Sequence, residues 1–252
     1  MPLLCLSGLV RTSDDFAGVA ARHGGGRRVV ALDYIGRGAS ARAPAVARYT
    51  PPAMLRDVMD ACAAVQLHRA VVLGTSFGGL LAMALGAARP GLLAGVVLND
   101  VGPEIGGKGA ALVRRFVADD PSLPDLGAAA AHLRRILPDL SLHDDAGWRD
   151  FARLTYAPGA DGRWHPRCDT GIARILRTRT PNLWPLFGTL ATVPLLLIHG
   201  GRSAILEAPT VARMRAMRPD MAVATVPRSG HAPTLAEPEA VAALDAFLAR
   251  VT

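Results

Sequence analysis

Gly74-Thr75-Ser76-Phe77-Gly78 sets a serine between two glycines, after the apolar run Ala70–Leu73 and before a helical pattern that begins at Phe77. A serine hydroxyl is a weak nucleophile until a base takes its proton and a turn holds it clear of the backbone. A G-x-S-x-G turn between strand and helix meets the second need, because the glycines let neighbouring backbone pass close by. The following helix aims its positive dipole end at a developing oxyanion. The bland alternative is a serine capping a helix in a Gly-rich turn.

The base for such a serine is a histidine. His231 lies in "PRSGHAPTLAEPEAV", in a Gly-led loop between the last apolar run and the last helical pattern. His23 and His68 precede apolar runs, at the wrong end of a strand, and His132, His143 and His165 fall in the middle of the chain. His199 ends a run and is the one serious rival. An oxyanion hole would pair the Phe77 N–H with one from the loop after the first run. There, in "LCLSGLVRTSDDF", Gly8 permits close approach, the Leu9 N–H is the expected donor, and Val10 is the fallback. Arg11 stands beside that loop, either to orient a substrate carboxylate or to pair with Asp14 or Asp15.

These residues need a frame. Apolar runs at Leu3–Leu6, Arg28–Leu32, Ala70–Leu73, Gly95–Leu98, Pro194–Ile198 and Met221–Val226 alternate with helical patterns at Ser13–Ala21, Pro51–Val65, Phe77–Ala88, Ala208–Met217 and Pro238–Arg250. Such alternation predicts βαβ units around a mostly parallel sheet with helices on both faces. The spacing breaks once, after Leu98. The stretch that follows reads as helices at Gly107–Ala118, Leu126–Leu137, Asp145–Tyr156, Thr170–Thr178 and Asn182–Leu190, separated by prolines. The expected division is therefore an α/β core of residues 1–100 and 192–252, with an all-helical lid of residues 101–191 over the carboxyl ends of the strands. Trp148, Trp164 and Trp184 all fall in the lid. They read first as lid core, and Trp164 and Trp184 also as an apolar wall over substrate.

Composition removes other classes. Half of the 252 residues are hydrophobic, enough for a sizeable core, yet no run reaches the length of a membrane span. The net charge of +7 is spread along the chain, with no block of like charges and no aromatic stripe, so nucleic acid is not an expected partner. Lys108 is the only lysine, and this arginine bias with abundant Ala and Gly points to a GC-rich bacterial genome. Three scattered cysteines (Cys5, Cys62 and Cys168) read as buried, reduced thiols of a cytoplasmic protein. The start lacks the basic region and cleavage site of a signal peptide. No metal or nucleotide motif is present: "GRGAS" lacks the phosphate-loop pattern, and His165 with Cys168 is an isolated pair. No cofactor is expected.

Taken in order, Leu6–Phe16, Asp33–Ser40, Gly74–Gly79, Leu98–Ile105, Gly200–Leu206 and Gly230–Ala240, with "WHPRCDTGI" and "NLWPLF", resemble phrases of the α/β-hydrolase superfamily, in its capped, small bacterial esterase branch. The resemblance runs the length of the chain and implies the fold and a Ser-His site, with substrate left open. Three departures stand out. The chain begins at what resembles the third strand of the family, so the usual N-terminal antiparallel strands are not expected. Ile35 replaces an arginine after "DY". Most consequentially, Ala204 stands where the family phrase carries the triad aspartate.

An acid fixes the histidine tautomer and stabilises the imidazolium. Three readings follow for position 204: an Asp-to-Ala replacement that cripples an otherwise intact site, a substitute acid, or a chain naturally degraded in acyl chemistry. Asp100, in "LNDVGPEI", is the nearest substitute, with Glu104 and Glu207 more distant; its bland role is to cap a turn, as for Asp33. The expected activity is hydrolysis of a small carboxylic ester or lactone through an acyl-enzyme on Ser76, impaired by Ala204. The alternatives are a C–C bond hydrolase or lyase, or a non-catalytic small-molecule-binding homologue. The partner is a small-molecule substrate; neither membrane nor nucleic acid is expected, and the oligomeric state, with a homodimer among the options, stays open.

Overall fold

The computed structural model describes residues 1–177 and 182–251. Six strands form one sheet: β1 (Leu3–Leu6), β2 (Val29–Leu32), β3 (Ala70–Thr75), β4 (Leu93–Asn99), β7 (Leu195–Gly200) and β8 (Ala222–Val226). Their order is β2-β1-β3-β4-β7-β8, and every pairing is parallel. The six predicted runs are these six strands, shifted by a residue or two at their ends.

Side chains alternate between two cores. Leu4, Leu6, Val72, Val96, Leu98 and Leu197 pack on one face in a core shared with α2 (Pro51–Ala64), α3 (Phe77–Ala88) and α8 (Ala208–Met217). Leu3, Cys5, Leu73, Val97 and Ile198 pack on the other against α1 (Ala17–His23) and α9 (Pro238–Arg250). Strands buried on both faces lose their polar alternation, which is why these runs read as continuously apolar. Burial pushes the thiol of Cys5 up to about 12 and that of Cys168 up to about 11, so neither is poised to react.

Between β4 and β7 lie α4 (Gly107–Ala118), α5 (Leu126–Ile136), α6 (Asp145–Thr155), β5 (Tyr156–Pro158), β6 (Trp164–Pro166), a 3-10 segment at Thr170–Arg177 and α7 (Trp184–Gly188). This region is not all-helical. Tyr156–Pro158 and Trp164–Pro166 pair antiparallel across a turn in which Gly162 has φ 76. The two prolines argue against strands in the sequence, but each sits at a strand end, where a missing N–H donor costs little. The predicted helix at Thr170–Thr178 is 3-10, and its last residue, Thr178, lies outside the described residues. Asp125 and Asp144 cap α5 and α6 by accepting from the N–H groups of Ala128 and Gly147. Ala129, Leu133, Leu140, Trp148, Ala152 and Tyr156 give the insertion a small core of its own.

The strand order reverses beside β1, and ligands of open α/β sheets bind at the carboxyl ends near such a switch point. The loops after β1, β3, β4, β7 and β8 all emerge there. They carry Leu9, Ser76, Asp100, Ala204 and His231.

Candidate active site

Ser76 ends the β3 turn at φ 52 and ψ −117, a strained conformation worth about 1–3 kcal/mol that the surrounding packing holds in place. Its N–H donates to the Asn99 carbonyl at 3.0 Å, tying the turn to the end of β4. The flanking glycines are needed for space. A Cβ on Gly74 would lie 2.5 Å from the backbone of Gly78, and one on Gly78 would lie 2.0 Å from the Leu6 carbonyl oxygen. Both obstacles are backbone in buried elements. Gly78→Ala is therefore expected to destabilise the fold by about 3 kcal/mol, read as a lowered midpoint in a denaturant titration.

His231 Nε2 is 2.8 Å from Ser76 Oγ, and His231 Nδ1 is 2.7 Å from Asp100 Oδ2. A carboxylate only accepts, so Nδ1 carries the proton and Nε2 is left to accept from the serine hydroxyl. Asp100 is fully buried, and its other oxygen accepts from the Gly200 N–H at 2.8 Å. It adopts φ 55, which turns it out of β4 toward the histidine. The substitute acid is thus in contact with the base, whereas Ala204 is exposed on its loop. The rival His199 is buried and pairs with the Leu206 carbonyl, away from the serine. Glu104 is also spent elsewhere, accepting from Trp184 Nε1 at 2.6 Å and from Arg213 at 2.8 Å.

Gly8 lies beside the serine: a Cβ there would be 3.8 Å from Ser76 Cβ. The Leu9 carbonyl accepts from the buried Arg37 Nε at 2.8 Å, which fixes that loop. Among the described residues, the N–H groups of Leu9 and Phe77 donate to no other protein group, leaving both for an oxyanion. Asp33, read as a loop organiser, accepts from the Ser13 and Ala39 N–H groups.

Above Ser76 and His231 is a cavity of about 180 Å³. Leu112, Val113, Phe116, Leu137, Leu140, Phe151, Leu154 and Ile205 form part of its apolar wall. Seven of these eight come from the insertion, and nothing in their spacing distinguishes them in the sequence from ordinary helix-packing residues. Trp164 and Trp184 do not line the cavity, contrary to the substrate-wall reading. Trp164 belongs to the hairpin and Trp184 packs on Phe187 in the core. Arg11 does reach the cavity, but it is paired: its guanidinium donates to both Asp15 oxygens, at 2.8 and 2.6 Å, and to Thr155 Oγ1 at 2.5 Å. His165 is held between Asp120 and Asp161, whose hydrogen bonds, Asp120 first, raise its pKa. Among the described residues no group of three or more His, Cys, Asp or Glu side chains gathers as a metal site, and no helix is long and apolar enough to cross a membrane.

Known proteins share this arrangement of elements. The crystal structure of an alpha/beta hydrolase from Novosphingobium aromaticivorans superposes with a TM-score of 0.94 at 40% identity, over 99% of this chain and 90% of that one. E-2-(acetamidomethylene)succinate hydrolase superposes at 0.84 with 25% identity, over 99% of this chain and 92% of that one. A 3-hydroxybutyrate-oligomer hydrolase of Cupriavidus necator is 30% identical over 97% of this chain and 87% of its own length. The model of the alpha/beta hydrolase family matches residues 3–244, and with a parallel sheet that brings a serine elbow and a histidine loop together at its carboxyl edge, the chain belongs to that family.

Proposed function

We propose that this protein is a serine hydrolase of small, neutral carboxylic esters or lactones, working through an acyl-enzyme. The observation that carries the reading is the relay from Ser76 through His231 to Asp100, at 2.8 and 2.7 Å, on the floor of an apolar cavity. Ser76 Oγ attacks the acyl carbon as its proton passes to His231 Nε2. The Leu9 and Phe77 N–H groups hold the oxyanion. The imidazolium, stabilised by Asp100, returns the proton to the departing alkoxide. Water, deprotonated by the same nitrogen, then releases the acid and restores the serine. With Asp100 on the histidine, Ala204 removes nothing this mechanism uses. The region from Val101 to Ala191 acts as the lid that walls the acyl group from water.

Substrate class follows from the wall. Among the described residues, the arginine and carboxylate side chains that line the cavity are Arg11 and Asp15, and they pair with each other. An acyl chain gains about 0.8 kcal/mol per buried CH₂, whereas a buried carboxylate without a partner loses several. Relatedness supports an ester: the Cupriavidus protein is named for oligomers of 3-hydroxybutyrate, and hydroxyacid oligomers are joined by ester bonds.

The test is initial-rate kinetics on p-nitrophenyl acetate, butyrate and hexanoate, and on the mono-p-nitrophenyl ester of adipic acid, with Ser76→Ala as the control. Expected is a rise in kcat/KM of about tenfold from acetate to butyrate, and a rate for the adipate ester at least about 100-fold below that of hexanoate. Rates at the level of the control on every ester would remove the ester reading. A preference for the adipate ester would remove the neutral-substrate reading.

A further inference from the structure

The loop that carries His231 is fastened to the insertion at three points. The Gly230 N–H donates to the Asp139 carbonyl at 2.5 Å. The Ser141 hydroxyl donates to Glu237 Oε1 and lies 3.4 Å from the buried Ser229 Oγ. Glu237, itself buried, turns back on the same loop and accepts from the Thr234 N–H at 2.8 Å. Contact is close enough that a Cβ on Gly230 would sit 2.7 Å from Asp139 Cβ. The segment that makes these bonds, Leu137–Ser141, also places Leu137 and Leu140 in the wall of the cavity. One five-residue stretch therefore touches the space for the acyl group, the backbone just before His231 and the side chain of Glu237 at the far end of the loop.

From this juxtaposition we infer that Ser141 and Glu237 are positioning residues, which set His231 against Ser76 through the wall segment Leu137–Ser141. The labelling readout rests on Ser76 and His231 being the reacting pair; the positioning itself rests on the bonds of His231 to Ser76 and Asp100. A Ser76–His231 bond of 2.8 Å depends on a loop that has no regular secondary structure between β8 and α9. Glu237 spans that loop from its far end, and Ser141 holds Glu237 from the insertion. Without the hydroxyl, a buried carboxylate oxygen loses a donor and the loop loses its tie to the wall. The imidazole then samples orientations in which Nε2 does not face the serine, and misplacement of that kind is costly in rate.

The experiment combines two readouts on Ser141→Ala, Glu237→Ala and Ser141→Thr. One is the rate at which a fluorophosphonate labels Ser76. The other, which needs no substrate, is the far-downfield proton resonance of His231 Nδ1–H in its bond to Asp100. Expected are labelling at least about tenfold slower and a shifted or broadened proton in both alanine variants, with Ser141→Thr restoring both because it keeps the hydroxyl. A purely structural role would lower Tm and leave labelling and proton unchanged in folded Ser141→Ala, and that result overturns the inference. If Glu237→Ala does not fold, Ser141→Ala decides alone. If the unaltered protein resists labelling while its proton still responds to Ser141→Ala, the positioning inference stands and the serine-hydrolase reading falls.

Discussion

Asp100→Ala is expected to lower kcat on the preferred ester by about 10⁴-fold with little change in KM. The side chain touches no part of the cavity, so ground-state binding is untouched. Its work is on the histidine. With the carboxylate present, the proton of the neutral imidazole is held on Nδ1, 2.7 Å away, and Nε2 accepts from Ser76. Without it, the proton is free to occupy Nε2, and a donor then faces the serine hydroxyl where an acceptor is needed. The imidazolium that forms during attack also loses its buried counter-charge. Stopped assays under saturating ester, beside a melting curve to establish that the variant is folded, check the prediction.

The complementary variant is Ala204→Asp. The His231 Nδ1–H already donates to Asp100 and has no second proton to give, so a carboxylate at 204 is expected to change kcat by less than about tenfold. A gain of about 10³-fold or more would mean that Asp100 is not the working acid and that the loop after β7 is its proper seat.

This reversal marks where the sequence stops being legible. Ser76 and His231 were readable because local chemistry announces them: glycines flank the one, a Gly-led loop carries the other, and each sits where an apolar run ends. The sheet was readable for a related reason, since buried parallel strands are short apolar runs with little ambiguity. The acid is different. An Asn-Asp pair after a strand has the same local signature whether it caps a turn or serves a histidine 131 positions away. The φ of 55 at Asp100 and the Gly200 N–H that grips it turn the carboxylate toward the histidine, and both depend on β4 lying beside β7. The same holds for the cavity wall. Leu137, Leu140 and Phe151 are unremarkable apolar residues until the insertion folds over the carboxyl edge, whereas Trp164 and Trp184, conspicuous by type, belong to local packing. Arg11 had two readings in the sequence, a ligand for an anion or a partner for Asp14 or Asp15, and the structure pairs it with Asp15.

Ser76→Ala is expected to cost about 10⁶-fold in kcat, and His231→Ala nearly as much, while the double variant costs no more than either alone. The two side chains act as one unit: the histidine has nothing to deprotonate without the hydroxyl, and the hydroxyl has no base without the histidine. The remaining rate belongs to the Leu9 and Phe77 donors and to the apolar wall, which these variants leave in place. Single-turnover measurements with the three variants test the additivity. Multiplying costs would mean that the serine and histidine act on separate steps and would argue against an acyl-enzyme. Alanine at position 76 keeps the strained φ of 52 and adds no atom that meets Leu6 or Gly78, so the fold is expected to persist. The variant should then bind the ester without cleaving it, and its Kd measured by calorimetry reports the affinity of the cavity for the acyl group directly. An affinity that rises from acetate to hexanoate as steeply as kcat/KM does in the active enzyme would place the chain-length preference in ground-state contacts with the wall. A flat affinity beside a steep kcat/KM would place it in the transition state, as expected if the wall segment Leu137–Ser141 sets His231 against the serine.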